Sequence, residues 1–91
     1  MPVTVRIPTQ LRNLTGGASE VSLAGATVAE LLRALEVAHP GFAERLFDET
    51  GELRRFVNVF VAEDDIRFLA GVETTVADGQ TISIVPAVAG G

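Results

Sequence analysis

Residue types that usually carry catalysis are few in this sequence, and none of them stands in a catalytic pattern. The chain has no cysteine, so it offers neither a thiolate nucleophile nor a thiolate metal ligand. Its one histidine, His39, lies at a Pro-Gly break without a second histidine to share a metal ion. Asp64 and Asp65 are typical of a solvated turn, and no serine has a histidine placed to activate it. We therefore expect no catalytic residue and no metal site, which disfavours an ordinary enzyme.

The chemistry that this sequence could offer lies in its last residues, which end in Gly90-Gly91. Two glycines leave the terminal carboxylate without neighbouring side chains, so that it could enter a narrow enzyme channel. Pro86 fixes its own φ and stiffens the start of this tail, and six extended residues reach roughly 20 Å. Chain ends are also commonly small and frayed, so the glycine pair alone is weak evidence. We predict one domain, with a body of residues 1–85 and an extended tail of residues 86–91.

Composition limits the class of protein and of partner. Ninety-one residues that are 47% hydrophobic make one folded domain, and the net charge of −5 disfavours nucleic acid and anionic membranes as partners. No apolar run is long enough to span a bilayer, so we predict a cytoplasmic location. All seven basic residues are arginine. The chain therefore has no lysine amine that could attack an activated carboxyl group. A compositional bias of the source genome would explain the same fact.

The elements that must position the tail are predicted from hydrophobic periodicity. Residues 3–7 alternate between apolar and polar types, as in a strand with one buried face, and residues 21–23 continue the pattern in an antiparallel partner. Residues 11–18 between them are predicted to form a turn. Thr27 and Glu30 form a capping box that starts a helix, which must end before His39. Its apolar stripe consists of Val28, Leu31, Leu32 and Leu35.

The second half of the chain predicts three more strands. Residues 42–47 are expected to form a short helical turn, followed by the strongest strand at residues 54–62 and a short return strand at residues 66–68. Residues 80–85 form the last strand, after the turn signal Asp78-Gly79. The order β-β-α-β-β-β, with one main helix across a mixed sheet, is an α+β fold of the β-grasp, or ubiquitin-like, architecture. The last strand should lie beside the first.

The strand at residues 54–62 is apolar on both faces. One face carries alternating valines, and the other carries Phe56 and Phe60 with Asn58 between them. A strand of this kind is usually covered on both sides, but only one substantial helix is available. Either a loop packs over Phe56 and Phe60, or their face is a docking surface for a partner.

With the order of elements and the tail in hand, the chain resembles the ubiquitin-like sulfur-carrier family of the ThiS/MoaD type. Within that family it is most similar to the cysteine-biosynthetic carriers of actinobacteria. The resemblance rests on RFVNVFV at residues 55–61, DDIRF at 64–68 and TVADGQTISIVPAVAGG at 75–91, and it extends to residues 3–9, 11–12 and 15–17.

This resemblance implies that Gly91 is the working residue and that Val88, Ala89 and Gly90 carry it into partner active sites. An E1-like, ATP-dependent enzyme would adenylate the Gly91 carboxylate, and a sulfur donor would then convert it to a thiocarboxylate. A PLP-dependent cysteine synthase would transfer the sulfur to a substrate made from O-phosphoserine, and a metalloprotease would release cysteine. ATP, PLP and zinc would belong to these partners, and the chain itself would bind no cofactor.

Two alternatives remain open at this point. The same tail chemistry serves carriers for molybdopterin and for the thiazole of thiamin, although the thiamin carriers are generally shorter. A different class would be a non-carrier ubiquitin-like interaction module, or a modifier joined to target lysines.

Overall fold

The alternating residues at the start of the chain form one half of a mixed β-sheet in the computed structural model, which describes residues 2–55 and 57–86. Strand β1 (Val3–Arg6) pairs antiparallel with β2 (Glu20–Leu23). On its other side, β1 pairs in parallel with β5 (Thr81–Pro86). The last strand therefore lies beside the first, as predicted.

The other half of the sheet is built on the valine-rich strand. β3 (Val57–Val61) runs antiparallel to β5, and the two-residue β4 (Asp64–Asp65) runs antiparallel to β3. Ala62, in the tight turn between β3 and β4, has a positive φ of 57°. The strand order is β2-β1-β5-β3-β4, so β5 occupies the centre of the sheet.

Helix α1 (Val28–Ala38) begins where the capping box predicts and ends before His39, which is its C-cap. The Thr27 hydroxyl accepts a hydrogen bond from the Glu30 N–H at 3.2 Å, and the Glu30 carboxylate accepts one from the Ala26 N–H at 2.9 Å. The return bond of the box thus goes one residue further back than the standard pattern, and it satisfies a donor that precedes the helix.

The core lies between one face of the sheet and α1. All four residues of the predicted apolar stripe are buried, and they pack with the inward side chains of β1, β3 and β5. This burial stabilises the fold by about 25 cal/mol for each Å² of apolar surface removed from water. The buried hydrophobic residues are Val3, Val5, Ile7, Leu11, Val28, Leu31, Leu32, Leu35, Phe42, Leu46, Val57, Val59, Val61, Ile66, Val76, Ile82 and Ile84.

Helix α2 (Phe42–Leu46) is the predicted short helical turn, and its start is held by a side chain from α1. The Glu36 carboxylate accepts hydrogen bonds from the N–H groups of Gly41, at 3.1 Å, and Ala43, at 2.7 Å. Gly41 has a φ of +115°, which side chains rarely allow. The turn brings Phe42 and Leu46 into the core.

Two predictions about short segments are wrong. Residues 11–18 were expected to form only a turn, but Thr9–Thr15 is a 3₁₀ helix that buries Leu11. Residues 66–68 were expected to form a return strand, but Ile66–Phe68 is also a 3₁₀ helix. 3₁₀ helices of three and seven residues are too short to show a clear hydrophobic period, so the sequence pattern did not separate them from turns or strands.

The observed bounds of three strands also differ from the predicted ones. β3 begins at Val57, not at Arg54, because the Val57 N–H donates to the Arg54 carbonyl in a turn (3.0 Å). The return strand is the pair Asp64–Asp65, which was expected to be part of the turn. β5 runs one residue past the predicted end, to Pro86.

Replacing Gly41 with alanine is expected to destabilise the fold more than the same change at Gly51. Both residues have positive φ, at +115° and +87°, but a Cβ on Gly41 would lie 2.9 Å from the Leu14 Cδ2 atom, whereas a Cβ on Gly51 meets nothing within 4 Å. Strain from positive φ costs roughly 1–2 kcal/mol in either variant. Urea unfolding should therefore show the larger loss for Gly41→Ala, and equal losses would contradict the close contact.

Candidate functional site: the end of the central strand

The site that the sequence predicts lies beyond the last described residue, Pro86. Val88, Ala89, Gly90 and Gly91 fall outside the described residues. What the structure shows is the point from which this tail leaves the body, at the end of β5.

Proline is compatible with the end of β5 because of the register of the sheet. The Ala62 N–H donates to the Thr81 carbonyl at 2.9 Å, so the hydrogen-bonded pairs between β5 and β3 fall at Thr81 and at every second residue after it. Pro86 is out of phase with those pairs, and its nitrogen faces the β1 side. β1 has already ended opposite Ser83, so the absent N–H of Pro86 leaves no ladder bond unmade.

The start of β3, which lies opposite Pro86, is held by Arg67. Val57 pairs with Pro86 across the ladder. The Nη2 atom of Arg67 donates hydrogen bonds to the Arg55 carbonyl at 2.5 Å and to the Val57 carbonyl at 3.0 Å. β4 is too short to cover this part of the outer edge of β3. A guanidinium group with fixed donors therefore takes the place of a neighbouring strand.

Arg67 is itself positioned by a local turn. The Asp65 carboxylate accepts a hydrogen bond from the Arg67 N–H at 2.8 Å and starts the 3₁₀ helix Ile66–Phe68. Ile66 is buried, which anchors this segment to the core. The segment that sequence reasoning assigned to a strand is thus a support for the end of β3.

The sheet face opposite the helices carries side chains that are partly exposed, and its use as a docking surface stays a prediction. On β3 it carries Asn58 and Phe60, both half-buried, which lie across from Val85 and Ser83 of β5. Val85 is 44% exposed. Phe60 therefore lies on the predicted face, whereas Phe56, the other predicted docking residue, is outside the described residues.

Sequence reasoning missed the most exposed aromatic side chain that the structure describes. Phe68 is 87% exposed and the adjacent Leu69 is 49% exposed, at the end of the 3₁₀ helix next to Arg67. A return strand would have given Phe68 a different orientation. The Asp65-x-Arg67 spacing, typical of an Asx turn, was the signal that could have indicated the helix.

The described body offers little other chemistry. Within residues 2–55 and 57–86, no group of three or more His, Asp or Glu side chains is placed to hold a metal ion. A groove of about 460 Å³ lies between α1 and α2, but its Glu36 carboxylate is engaged in capping α2.

A hydrogen bond from the Thr50 hydroxyl at 2.6 Å lowers the pKa of Asp48, which organises a surface turn. In the part of the chain described, no helix has the length and apolar character of a membrane span.

Comparison with known proteins places this geometry in a family. The model of the family described as ThiS matches residues 5–91, which includes the strand β5 and the Gly-Gly end. The chain belongs to the ThiS family. The predicted resemblance to the ThiS/MoaD type is confirmed.

Individual members of the family are similar over the whole chain. The sulfur carrier protein CysO of Mycobacterium tuberculosis is 48% identical over 93 residues, covering 100% of both chains. Its crystal structure has a TM-score of 0.89 at 46% identity, covering 94% of this chain and 99% of that one. A chain of the Amycolatopsis orientalis BexX/CysO complex has a TM-score of 0.91 at 50% identity, covering 98% and 99%. The predicted β-grasp fold is confirmed.

A third relative has a different name. The small archaeal modifier protein 3 of Haloferax volcanii is 41% identical over 66 residues, which cover 72% of this chain and 71% of that protein. The chain is thus similar both to proteins named as carriers and to one named as a modifier.

Replacing Arg67 with methionine is expected to loosen the end of the sheet from which the tail leaves. The change keeps much of the aliphatic stem but removes the hydrogen bonds to Arg55 and Val57, which with a charged donor contribute about 1.5–3 kcal/mol. Urea unfolding should show a loss of about that size, and the amide resonances of Val57 and Val85 should shift. Arg33→Met, at an exposed position on α1, is the matched control. An equal effect of both variants would contradict the support that Arg67 gives to β3.

Proposed function

We propose that this chain is a sulfur carrier protein, and that the carboxyl group of Gly91 carries the sulfur for cysteine biosynthesis. The observation that supports this most is the 48% identity, over the whole of both chains, with a protein named as the sulfur carrier CysO. The family match runs through the Gly-Gly end.

The chemistry of the tail explains why a carrier needs an activating partner. A carboxylate is a poor electrophile, so an E1-like enzyme first joins a Gly91 oxygen to the α-phosphorus of ATP, and pyrophosphate leaves. A sulfur donor then attacks the carboxyl carbon, and the C–O bond to AMP breaks. The product is a thiocarboxylate on Gly91. The chain contains no cysteine or lysine, so its own side chains supply neither a thiol nor an ε-amine to intercept the acyl-adenylate.

The body's part in this function is to hold the tail out from a fixed point. β5 is flanked by β1 and β3, and Arg67 holds the start of β3 opposite Pro86. Val88, Ala89 and Gly90 would thread the partner's channel, with Gly91 at its end. The sheet face around Phe60 is a docking surface in this proposal, because it presents a half-buried aromatic ring beside the exposed Val85.

The partner enzymes follow from the proposed pathway. They are the activating enzyme with ATP, a PLP-dependent cysteine synthase that receives the sulfur, and a zinc metalloprotease that releases cysteine. The CysO neighbour that occurs in a complex with BexX supports the view that such carriers work through protein partners. The chain is a co-substrate of these enzymes with no cofactor of its own, and ATP-dependent activation favours a cytoplasmic location.

Activation is tested by intact-protein mass spectrometry. Incubation of the chain with a matching activating enzyme, ATP and sulfide should increase its mass by the difference between sulfur and oxygen. The matched control is a chain that lacks Gly91, which ends in Gly90 and should gain nothing because the channel positions the carboxylate of the full-length tail. A wild-type chain that gains no mass, or a shortened chain that gains as much, would count against the carrier function.

The pathway is tested separately with the thiocarboxylate form. Mixed with O-phosphoserine and the cysteine synthase, it should yield a chain with cysteine attached at Gly91. Transfer of sulfur to a molybdopterin precursor or into thiazole synthesis instead, with no cysteine adduct, would assign the carrier to one of those cofactor pathways.

Similarity to a small archaeal modifier favours one second candidate, a modifier that is joined to lysines of target proteins. In cells of the source organism, a tagged chain that acts as a modifier should appear in conjugates of higher mass that disappear when Gly91 is deleted. A carrier should remain at its own mass.

A further inference from the structure

The tail limits where an activating enzyme can touch the body. Five residues, 87–91, follow the end of β5, and fully extended they reach at most about 17 Å. An enzyme that holds Gly91 in its active site must therefore come close to Pro86. A stable interface covers roughly 800 Å² on each partner, which corresponds to a disc about 16 Å in radius.

One edge of the sheet falls inside that radius. Val57 lies opposite Pro86 at the strand spacing of about 4.5–5.5 Å, and the Arg67 Nη2 atom lies 3.0 Å beyond the Val57 carbonyl. The guanidinium group of Arg67 is thus on the order of 10 Å from the base of the tail. Phe68 and Leu69 follow it directly in the chain.

The chemistry of this edge differs from that of the molecule as a whole. The chain carries a net charge of −5, yet two arginines belong to this edge, since the Arg67 guanidinium contacts the backbone carbonyl of Arg55. Arg55 is exposed, and the nearby Asp65 carboxylate accepts a hydrogen bond from the Arg67 N–H. The next residue in the chain after Arg67, Phe68, is 87% exposed. An apolar anchor with a charged rim is the usual anatomy of a protein interface.

We propose that Arg55, Arg67, Phe68 and Leu69 form the edge by which the chain docks on its activating enzyme. The enzyme is inferred to offer an apolar pocket for Phe68 with acidic side chains around it. The sheet face that carries the half-buried Phe60 is a separate surface, formed by the β3 side chains that lie opposite the core. This assignment rests on the proposed function, because it names the activating enzyme as the partner.

The structure also explains why the edge should act on recognition and not on chemistry. In a complex in which the tail is extended into the active site, about 17 Å of chain would separate its side chains from the carboxyl group of Gly91. They can therefore raise the encounter rate and hold the body, but they cannot contact the acyl-adenylate. Removing them should raise KM and leave kcat unchanged.

The test measures the steady-state rate of thiocarboxylate formation against carrier concentration, with the full chain and the activating enzyme. Arg55→Glu is the main variant, because Arg55 is exposed and its side chain is not needed to hold β3. Its KM should rise about tenfold at low salt, with kcat unchanged, and the difference should shrink at high salt as the charges are screened. Phe68→Ser should raise KM at both salt concentrations.

Two controls match these changes on α1. Arg33→Glu reverses a charge at another exposed arginine, and Val37→Ser removes an apolar side chain that is 81% exposed. Both should leave KM within twofold of the wild type. The proposal is overturned if Arg55→Glu and Phe68→Ser behave like these controls while the wild type is activated normally. If the wild type gains no sulfur at all, the proposed function itself fails, which is a separate result.

Discussion

The parallel pairing of β1 with β5 is the interaction on which the rest of the structure depends. It places the last strand of the body at the centre of the sheet, between β1 and β3. Ile82 and Ile84 of β5 are buried in the core, each contributing roughly 1.5–3 kcal/mol. The base of the tail therefore cannot shift without unfolding the centre of the molecule, and whatever follows Pro86 starts from a fixed point.

The two faces of the sheet around β5 are covered unequally, and this difference bears on where a partner can approach. On the helical side, the stripe of α1 and the small helix α2 close the core completely. The other face carries the half-buried Phe60 and the exposed Val85, and at the outer edge of the sheet β4 contributes only two residues. Arg67 completes that edge with hydrogen bonds to the carbonyls of Arg55 and Val57. The weakly covered surfaces are those nearest the tail, where a partner must approach.

The fold could be predicted from the sequence wherever periodicity was strong. Each strong pattern indicates one type of element. The alternation at Val3 and Val5 and the valines of β3 indicate strands, and the capping box at Thr27 indicates the start of a helix. The errors fell at Leu11 and at Ile66–Phe68, where short 3₁₀ helices show no clear hydrophobic period. The family and the candidate site in the tail were predicted from the Gly-Gly end and its flanking motifs. The exposure of Phe68 was missed, because it depends on a side chain–backbone turn at Asp65, for which the position of the aspartate is the single sequence signal.

We propose that the Gly91 carboxyl group is the reacting group and that the body does not react. Labelling every glycine with ¹³C at the carbonyl gives nine resonances, one of which belongs to the terminal residue. Activation by the partner enzyme in the presence of sulfide should move that resonance strongly, as oxygen is replaced by sulfur. The other eight should stay in place, apart from small changes at the neighbouring Gly90. A spectrum in which no resonance moves, or in which glycines of the body move instead, would contradict the account.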